Sequence, residues 1–404
     1  MKISSKARIA FLIGTLCSVS YFAVYVARNI LSAVSPQMIE AGITEEYIGK
    51  ASSVYFVVYA IGQLINGFIG DKIKARYMIS FGLILAGVCN VVYPFVAVSE
   101  AGSIVVYGMT GFFLAMIYGP MTKVVAENVE PVYVARCSMG YEFAALFGSP
   151  AAGLLAAMLP MYTVFTVGGG MLLFMGALAF VFFLVFERRG IIGYGNYVPR
   201  EKGKAKVKVL LKYQIVKFCL ISIITGVVRT SVVFWLPTYI SQYLGFSPQS
   251  AATVFSVVTL IISFTTFIAV FVYERLKSMD KTILLMFSIA TVAFFAVWIV
   301  KNPIANIVLL TTAIMGSGSV AAMLWCKYCP SLRDTGMVSS VTGFLDFLSY
   351  MAAALANIIF ANAVTDIGWG NLILVWMALM IVGVIISLPY KVFFKKRQSN
   401  VSEQ

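Results

Sequence analysis

The chain has 404 residues, 61% of them hydrophobic and 11% charged, with a formal net charge of +14 and a mean hydropathy of +0.93. A soluble protein carries about 25% charged residues, so this composition excludes a globular domain with one anchor and points to a polytopic membrane protein. Histidine is absent, which removes the commonest metal ligand and the usual proton relay near neutral pH.

The basic start MKISSKAR leads into a full-length apolar run with no small-residue cleavage site. It reads as a retained first helix and not as a signal peptide. Apolar stretches near the roughly 20 residues needed to cross a bilayer then recur along the chain. They cover 8–36, 46–70, 77–98, 102–125, 137–159 and 162–186, then 213–240, 249–273, 282–300, 305–327, 337–363 and 370–393. Between the two sets lies the longest polar stretch, ERRGIIGYGNYVPREKGKAKVKVLLK, at 187–212. It reads as a cytoplasmic linker, with a basic piece suited to anionic lipid. The plan is an N-terminal six-helix bundle over 1–186, the linker, a C-terminal six-helix bundle over 213–393, and a tail over 394–404.

Basic residues crowd one side of this plan. Lys2, Lys6, Arg8, Lys72, Lys74, Arg76 and Arg136 fall there, with the run from Arg188 to Lys212 and the C-terminal Lys391, Lys395, Lys396 and Arg397. The other side has Lys50 and Lys301. The positive-inside rule then puts both termini in the cytoplasm. This placement accounts for the net charge without a nucleic-acid partner. The six cysteines lie mostly within apolar spans, and Cys326 and Cys329 form a single C-x-x-C without further ligands. Neither a disulfide framework, a metal site nor a cofactor is expected.

The two halves repeat. DKIK at 71–74 is echoed by ERLK at 274–277. Arg28 in the first span has Arg229 in the seventh as its counterpart, and Glu142 in the fifth has Asp346 in the eleventh. Parallel halves about an axis along the membrane normal are the plan of major facilitator transporters. The loop GFIGDKIKAR at 67–76 resembles the signature loop of that superfamily, with Gly67, Asp71, Lys72 and Arg76 in register and Lys74 where a later glycine is usual. The resemblance implies a conformational gating role for these four residues. The expected fold is an all-α polytopic membrane protein of twelve transmembrane helices in two pseudo-symmetric bundles.

A narrower resemblance surrounds the arginines. Tyr21, Tyr25 and Arg28 look like the first span of the organophosphate:phosphate antiporters, the family of glycerol-3-phosphate and hexose-phosphate transporters. VRTSVVFWLPTYI at 228–240 looks like their seventh span, with Arg229, Trp235, Pro237, Thr238 and Tyr239 in register. YGPMTK at 118–123, TGF at 342–344 and DIGW at 366–369 are weaker matches. The resemblance implies that Arg28 and Arg229 hold a phosphate between the halves, with Tyr21 and Tyr25 lining the cavity. Arginine suits this role because its planar fork stays charged and binds oxyanions bidentately. Asn29 stands where that family commonly has Lys, Glu142 lies in a fifth span without the family's histidine, and Asp346 replaces a small residue.

Glu142 and Asp346 leave three readings open. They are counter-ions to the arginines, partners for a cationic end of the substrate, or carriers of a coupled proton. Lys123, Lys217 and Lys327 lie near span ends and are expected to snorkel to the interface. The small residues of GSPAAG at 148–153 predict close helix packing. No enzyme constellation is present, so no catalytic residue is expected.

The expectation is a monomeric secondary transporter of a bacterial-type inner membrane. It moves an organic anion, a phosphate ester first, by alternating access. Inorganic phosphate or protons are the coupling species. The alternatives are a proton-coupled carrier of a carboxylate or zwitterion, and a transporter-like sensor.

Overall fold

The computed structural model describes residues 5–70, 73–194, 211, 213–332 and 338–388. In chain order the helices are α1 (Ser5–Glu40), α2 (Glu45–Gly70), α3 (Ala75–Val96), α4 (Glu100–Leu114 with Tyr118–Asn128), α5 (Pro131–Met158) and α6 (Met161–Arg188). The second half follows with α7 (Ile215–Gln242), α8 (Pro248–Leu276), α9 (Met279–Ile299) and α10 (Pro303–Tyr328). The last helical run, Val338–Ser387, turns at Gly368, giving α11 (338–367) and α12 (369–387). Gly368 has φ 74, a left-handed conformation that costs glycine little. The twelve expected spans are therefore all present, and the chain is a multi-pass membrane protein. The end where α1 begins is called proximal here, and the end where α1 finishes is called distal.

The sequence explains where most helices start. Ser99, Ser247 and Asn302 each accept a hydrogen bond from a backbone N–H of the first turn of α4, α8 and α10. Pro131, Pro248 and Pro303 sit at first helical positions, where the missing N–H has no partner to lose. Inside the helices, Ser20, Thr225, Thr259 and Ser319 donate to carbonyls four residues back, which satisfies hydroxyls that lipid cannot.

Some helices depart from the continuous spans expected. Helix α4 breaks at residues 115–117, because Pro120 has no N–H to donate to the Met116 carbonyl. Helix α8 breaks between Ile262 and Thr265, where the Thr265 hydroxyl takes the Ile262 carbonyl. Two stretches widen into π-helix, Val227–Val232 in α7 and Leu324–Tyr328 in α10. They carry Arg229 and Lys327 respectively. Such single-turn insertions concentrate at functional sites.

Within the first half α1 packs on α5, α3 on α6, and α2 on α4. Within the second half α9 packs on α10 and α7 on α11. Contact between the halves runs through α2 with α11, α5 with α8, and α1 with α7. These contacts gather at the distal end and use small residues. A Cβ on Gly49 would lie 2.9 Å from the Asn357 carbonyl oxygen, and one on Gly153 would lie 2.8 Å from that of Ala252. The second case bears out the close packing expected of GSPAAG. Ser32 donates to the Phe234 carbonyl (2.6 Å), Ser35 shares a hydrogen bond with Thr238 (2.7 Å), Ser53 donates to the Ala354 carbonyl (2.5 Å) and Gln242 donates to Glu45 (2.5 Å). At the proximal end Lys6–Glu130, Arg76–Glu187 and Lys217–Asp280 each stay within one half.

Helices α7 and α11 cross closely at Gly226. A Cβ on Gly226 would sit 2.6 Å from the Ser349 carbonyl oxygen and also collide with its hydroxyl. Gly226→Ala is therefore expected to push the helices apart and destabilise the protein by about 1–3 kcal/mol. Gly119→Ala, whose Cβ meets nothing within 4 Å, is expected to stay within about 0.5 kcal/mol of the parent. Thermal unfolding of both variants in detergent checks the pair, and equal melting would refute the crowding.

Candidate functional site

Arg28 lies about two-thirds of the way along α1, half-buried inside the span, and a charge at a span's centre costs roughly 2.5–3.5 kcal/mol even on lenient scales. Its guanidinium carbon lies 4.9 Å from the ring centre of Tyr350, 5.2 Å from Tyr59, 5.6 Å from Phe56 and 5.8 Å from Tyr25. Each such contact stabilises by about 0.5–2 kcal/mol, so four rings together match the cost of the charge. Arg28 Nη1 also donates to the Tyr350 hydroxyl at 3.0 Å. Tyr350 belongs to α11 of the second half. Its ring stacks on Phe56 (6.1 Å, 10°) and meets Tyr59 edge-on (5.2 Å, 71°).

Arg229 is held differently. Its Nη2 lies 4.0 Å from Asp346 Oδ1, a charge contact longer than a good hydrogen bond. The two side chains are 38% and 28% exposed, so this pair borders open space. Side chains lean toward their helix N-terminus. Arg229 thus reaches back past the Gly226–Ser349 crossing toward Asp346. Asp346 and Tyr350 are four residues apart on α11, which puts them on one face about 6 Å apart along the axis. The two arginines, one from each half, therefore meet neighbouring groups on the same helix face.

The cavity tyrosines expected from the sequence lie close by. Tyr21 packs edge-on against Tyr25 (5.1 Å) and beside Tyr118 (5.5 Å), which is 44% exposed. Tyr55 and Tyr141 are buried, and the Tyr55 hydroxyl has no hydrogen-bond partner among the described residues. Asn29 donates to the Tyr25 carbonyl and to Ser149, tying α1 to α5. Glu142 belongs to α5, and its side chain lies outside the described residues.

A model of the Major Facilitator Superfamily matches residues 17–357. The chain belongs to that superfamily. Its members are transporters, not enzymes, and this chain is a transporter that binds a small molecule within the membrane. The glycerol-3-phosphate transporter of Bacillus subtilis (strain 168) is 22% identical over 385 residues, 87% of this chain and 86% of that protein. The membrane sensor protein UhpC of Salmonella typhimurium (strain LT2) is 30% identical over 76 residues, and the match spans 19% of this chain and only 17% of that protein. Among solved structures, a bacterial homologue of the human lysosomal transporter Spinster superposes with a TM-score of 0.75 at 13% identity, covering 95% of this chain and 97% of that one. A D-xylose–proton symporter superposes with a TM-score of 0.67 at 13% identity, covering 95% and 96%. These structural likenesses carry the fold alone.

Of the superfamily loop, Asp71 and Lys72 lie outside the described residues, and Gly67 is in the last turn of α2. Arg76 turns inward at the proximal end and donates to Glu187 Oε2 (2.7 Å) and to the Tyr77 hydroxyl (2.7 Å). Glu187 also accepts from the Tyr194 hydroxyl (2.7 Å), and Gly193 N–H donates to Asn128. This knot fastens the start of the polar linker onto the first half. Lys217 pairs with Asp280 and Lys327 lies 4.3 Å from the Tyr273 ring centre, so protein groups take up both.

Tyr350, Phe56, Tyr59 and Glu187 did not emerge from the sequence as site or gate residues. For Tyr350 one signal was there: it follows Asp346 by one turn. The Arg76–Glu187 pair is mostly buried, 9% and 15% exposed. Glu187→Ala leaves Arg76 unpaired and is expected to cost about 3–5 kcal/mol. The double variant Arg76→Met/Glu187→Leu is expected to recover most of that loss. Denaturation of the three proteins checks this, and additive losses would refute the pairing.

Proposed function

We propose that the protein moves an organic anion, a phosphate ester first of all, by alternating access, with Arg28 and Arg229 gripping the anion between two six-helix bundles. The observation that carries this reading is the approach of one arginine from each half to a single face of α11. An anion bound by both forks would couple the halves, so that they rock together about it. The aromatic lining around Arg28 would pack the organic part of the substrate. The name of the Bacillus subtilis relative points to the same chemistry. Rocking opens the proximal end while the distal seal of Ser32, Ser35, Ser53 and Gln242 holds, and the reverse state breaks that seal.

The proximal end faces the cytoplasm in this reading, because the basic residues cluster there. The membrane is a bacterial inner membrane and the working unit a monomer, with inorganic phosphate or protons as the coupling species. A cysteine at Gly193, in a background lacking the six native cysteines, is expected to react with an impermeant maleimide only after the membrane is permeabilised. Reaction in intact cells would invert the orientation.

The arginines test the mechanism. Arg28→Lys and Arg229→Lys keep the charge and lose the planar fork. Each is expected to weaken uptake of labelled glycerol 3-phosphate into proteoliposomes by roughly 30-fold or more, the effect of about 2–5 kcal/mol at a buried charged contact. Monodisperse, thermally stable variants with unchanged uptake would refute the clamp. Binding without uptake by the parent protein would favour a sensor instead.

A second reading rests on Asp346, which puts a carboxylate beside one of the two cations. That arrangement suits a substrate with an amine as well as an anion. If it holds, Asp346→Asn loses affinity for phosphoethanolamine while keeping that for glycerol 3-phosphate. Equal changes for both ligands would exclude it.

A further inference from the structure

We infer that this carrier reorients without cargo, because Asp346 and Tyr350 stand in for the transported anion at the two arginines, and that it therefore performs net transport and not obligatory exchange. The inference rests on reading Arg28 and Arg229 as the anion site, and of the two coupling species named with that reading it keeps protons and sets aside obligatory exchange for inorganic phosphate. Its subject is the transport mode, which neither the family nor the relatives' names assign to this chain.

The argument starts from what forbids return in an exchanger. To change sides, a carrier passes through a form closed at both ends. A cation sealed there without a partner is heavily penalised. An exchanger uses that penalty: only a carrier whose cations are neutralised by cargo crosses over. Here the protein supplies partners of its own, a carboxylate for Arg229 and an acceptor with ring faces for Arg28. Asp346 places a carboxylate oxygen 4.0 Å from Arg229 Nη2. Tyr350 gives Arg28 a hydroxyl acceptor at 3.0 Å and one of four ring faces.

The two stand-ins differ in a way that fits a cycle. Asp346 and Arg229 lie on α11 and α7, which pack together within the second half through Gly226 and Ser349 and through Ser222 donating to the Leu345 carbonyl at 2.6 Å. That pair travels as a unit whichever end is open. The Arg28–Tyr350 contact crosses between halves, beside the distal seal. It belongs to the distal-closed form and parts when the halves rock. Asp346 thus lowers the barrier to return, and Tyr350 biases the resting position.

Single-molecule fluorescence on the full chain in liposomes tests this without any transported anion present. Dyes go on cysteines at Ile43 and Ser247, in the distal loops of the two halves, in a background lacking the native cysteines. The parent protein is expected to show two distances in exchange. Asp346→Asn is expected to slow that exchange about tenfold or more, since it leaves Arg229 without its counter-charge. Asp346→Glu, which keeps the carboxylate, is expected to retain it. Tyr350→Phe keeps the ring and loses the acceptor, so it is expected to shift the population severalfold toward the distal-open form. A parent protein that stays at one distance overturns the inference, as does an Asp346→Asn protein that exchanges at the parent rate. Because no cargo is used, these outcomes are independent of which anion is carried. The uptake assay on Arg28→Lys judges the anion site separately.

Discussion

Charge inside a bilayer needs company: an opposite charge, an acceptor, a ring face or water. In this protein one face of α11 provides it for both halves. Asp346 answers Arg229 and, a turn further on, Tyr350 answers Arg28. Much of the architecture around them follows from that demand. Helix α7 must come close enough for Arg229 to reach, which requires a glycine at 226 against Ser349. Helix α2 must bring Phe56 and Tyr59 round the other side of Arg28. The π-helical turn at Val227–Val232 sits on the same stretch of α7 that carries Arg229.

The distal seal is built from groups that hold without gripping. Its hydrogen bonds come from serines to backbone carbonyls, from Ser35 to Thr238, and from Gln242 to Glu45. Interhelical hydrogen bonds of this kind are worth about 0.6 kcal/mol on average in membranes. A handful of them, with small residues in contact, comes to a few kcal/mol, which under the proposed alternating access is the difference between open and closed forms. That is the range in which both forms of a two-state protein stay populated. The Arg76–Glu187–Tyr194 knot at the other end is a different kind of structure. It is mostly buried, charged and confined to one half, where it holds the start of the polar linker.

Length and hydropathy were enough to read the twelve spans, because a helix in lipid must be apolar over its whole crossing. The charged residues were equally legible: Arg28, Arg229 and Asp346 stand out singly against apolar sequence. The interruptions were harder to read. Pro120 foretold the break in α4 only to a reader asking which carbonyl it leaves unbonded. The two π-helical turns have no comparable mark. Tyr350, Phe56 and Tyr59 were hidden by composition. In a chain that is 14% aromatic, a tyrosine in a membrane helix ordinarily packs or faces lipid. What distinguishes these three is a guanidinium from elsewhere in the chain, and that is a tertiary fact. Glu187 reads from sequence as the first residue of a polar linker. It becomes a buried partner only because the chain after it turns back.

The repeat can be followed in the described side chains at three of its four charged positions, since the Glu142 side chain lies outside them. Arg28 with Glu142 and Arg229 with Asp346 look in the sequence like two equivalent pairs. In the fold, the second half holds Arg229 and Asp346 together on neighbouring helices, whereas Arg28 leans across to the second half and finds Tyr350. Once α11 offers both a carboxylate and a hydroxyl on one face, the first-half arginine can be satisfied from across the axis. A contact across the axis also has a different meaning from one within a half. It changes whenever the halves move, so it reports conformation. The pair within a half reports only its own chemistry. In the proposed cycle the Arg229–Asp346 pair would thus stay constant while the Arg28–Tyr350 contact changes with the end that is closed.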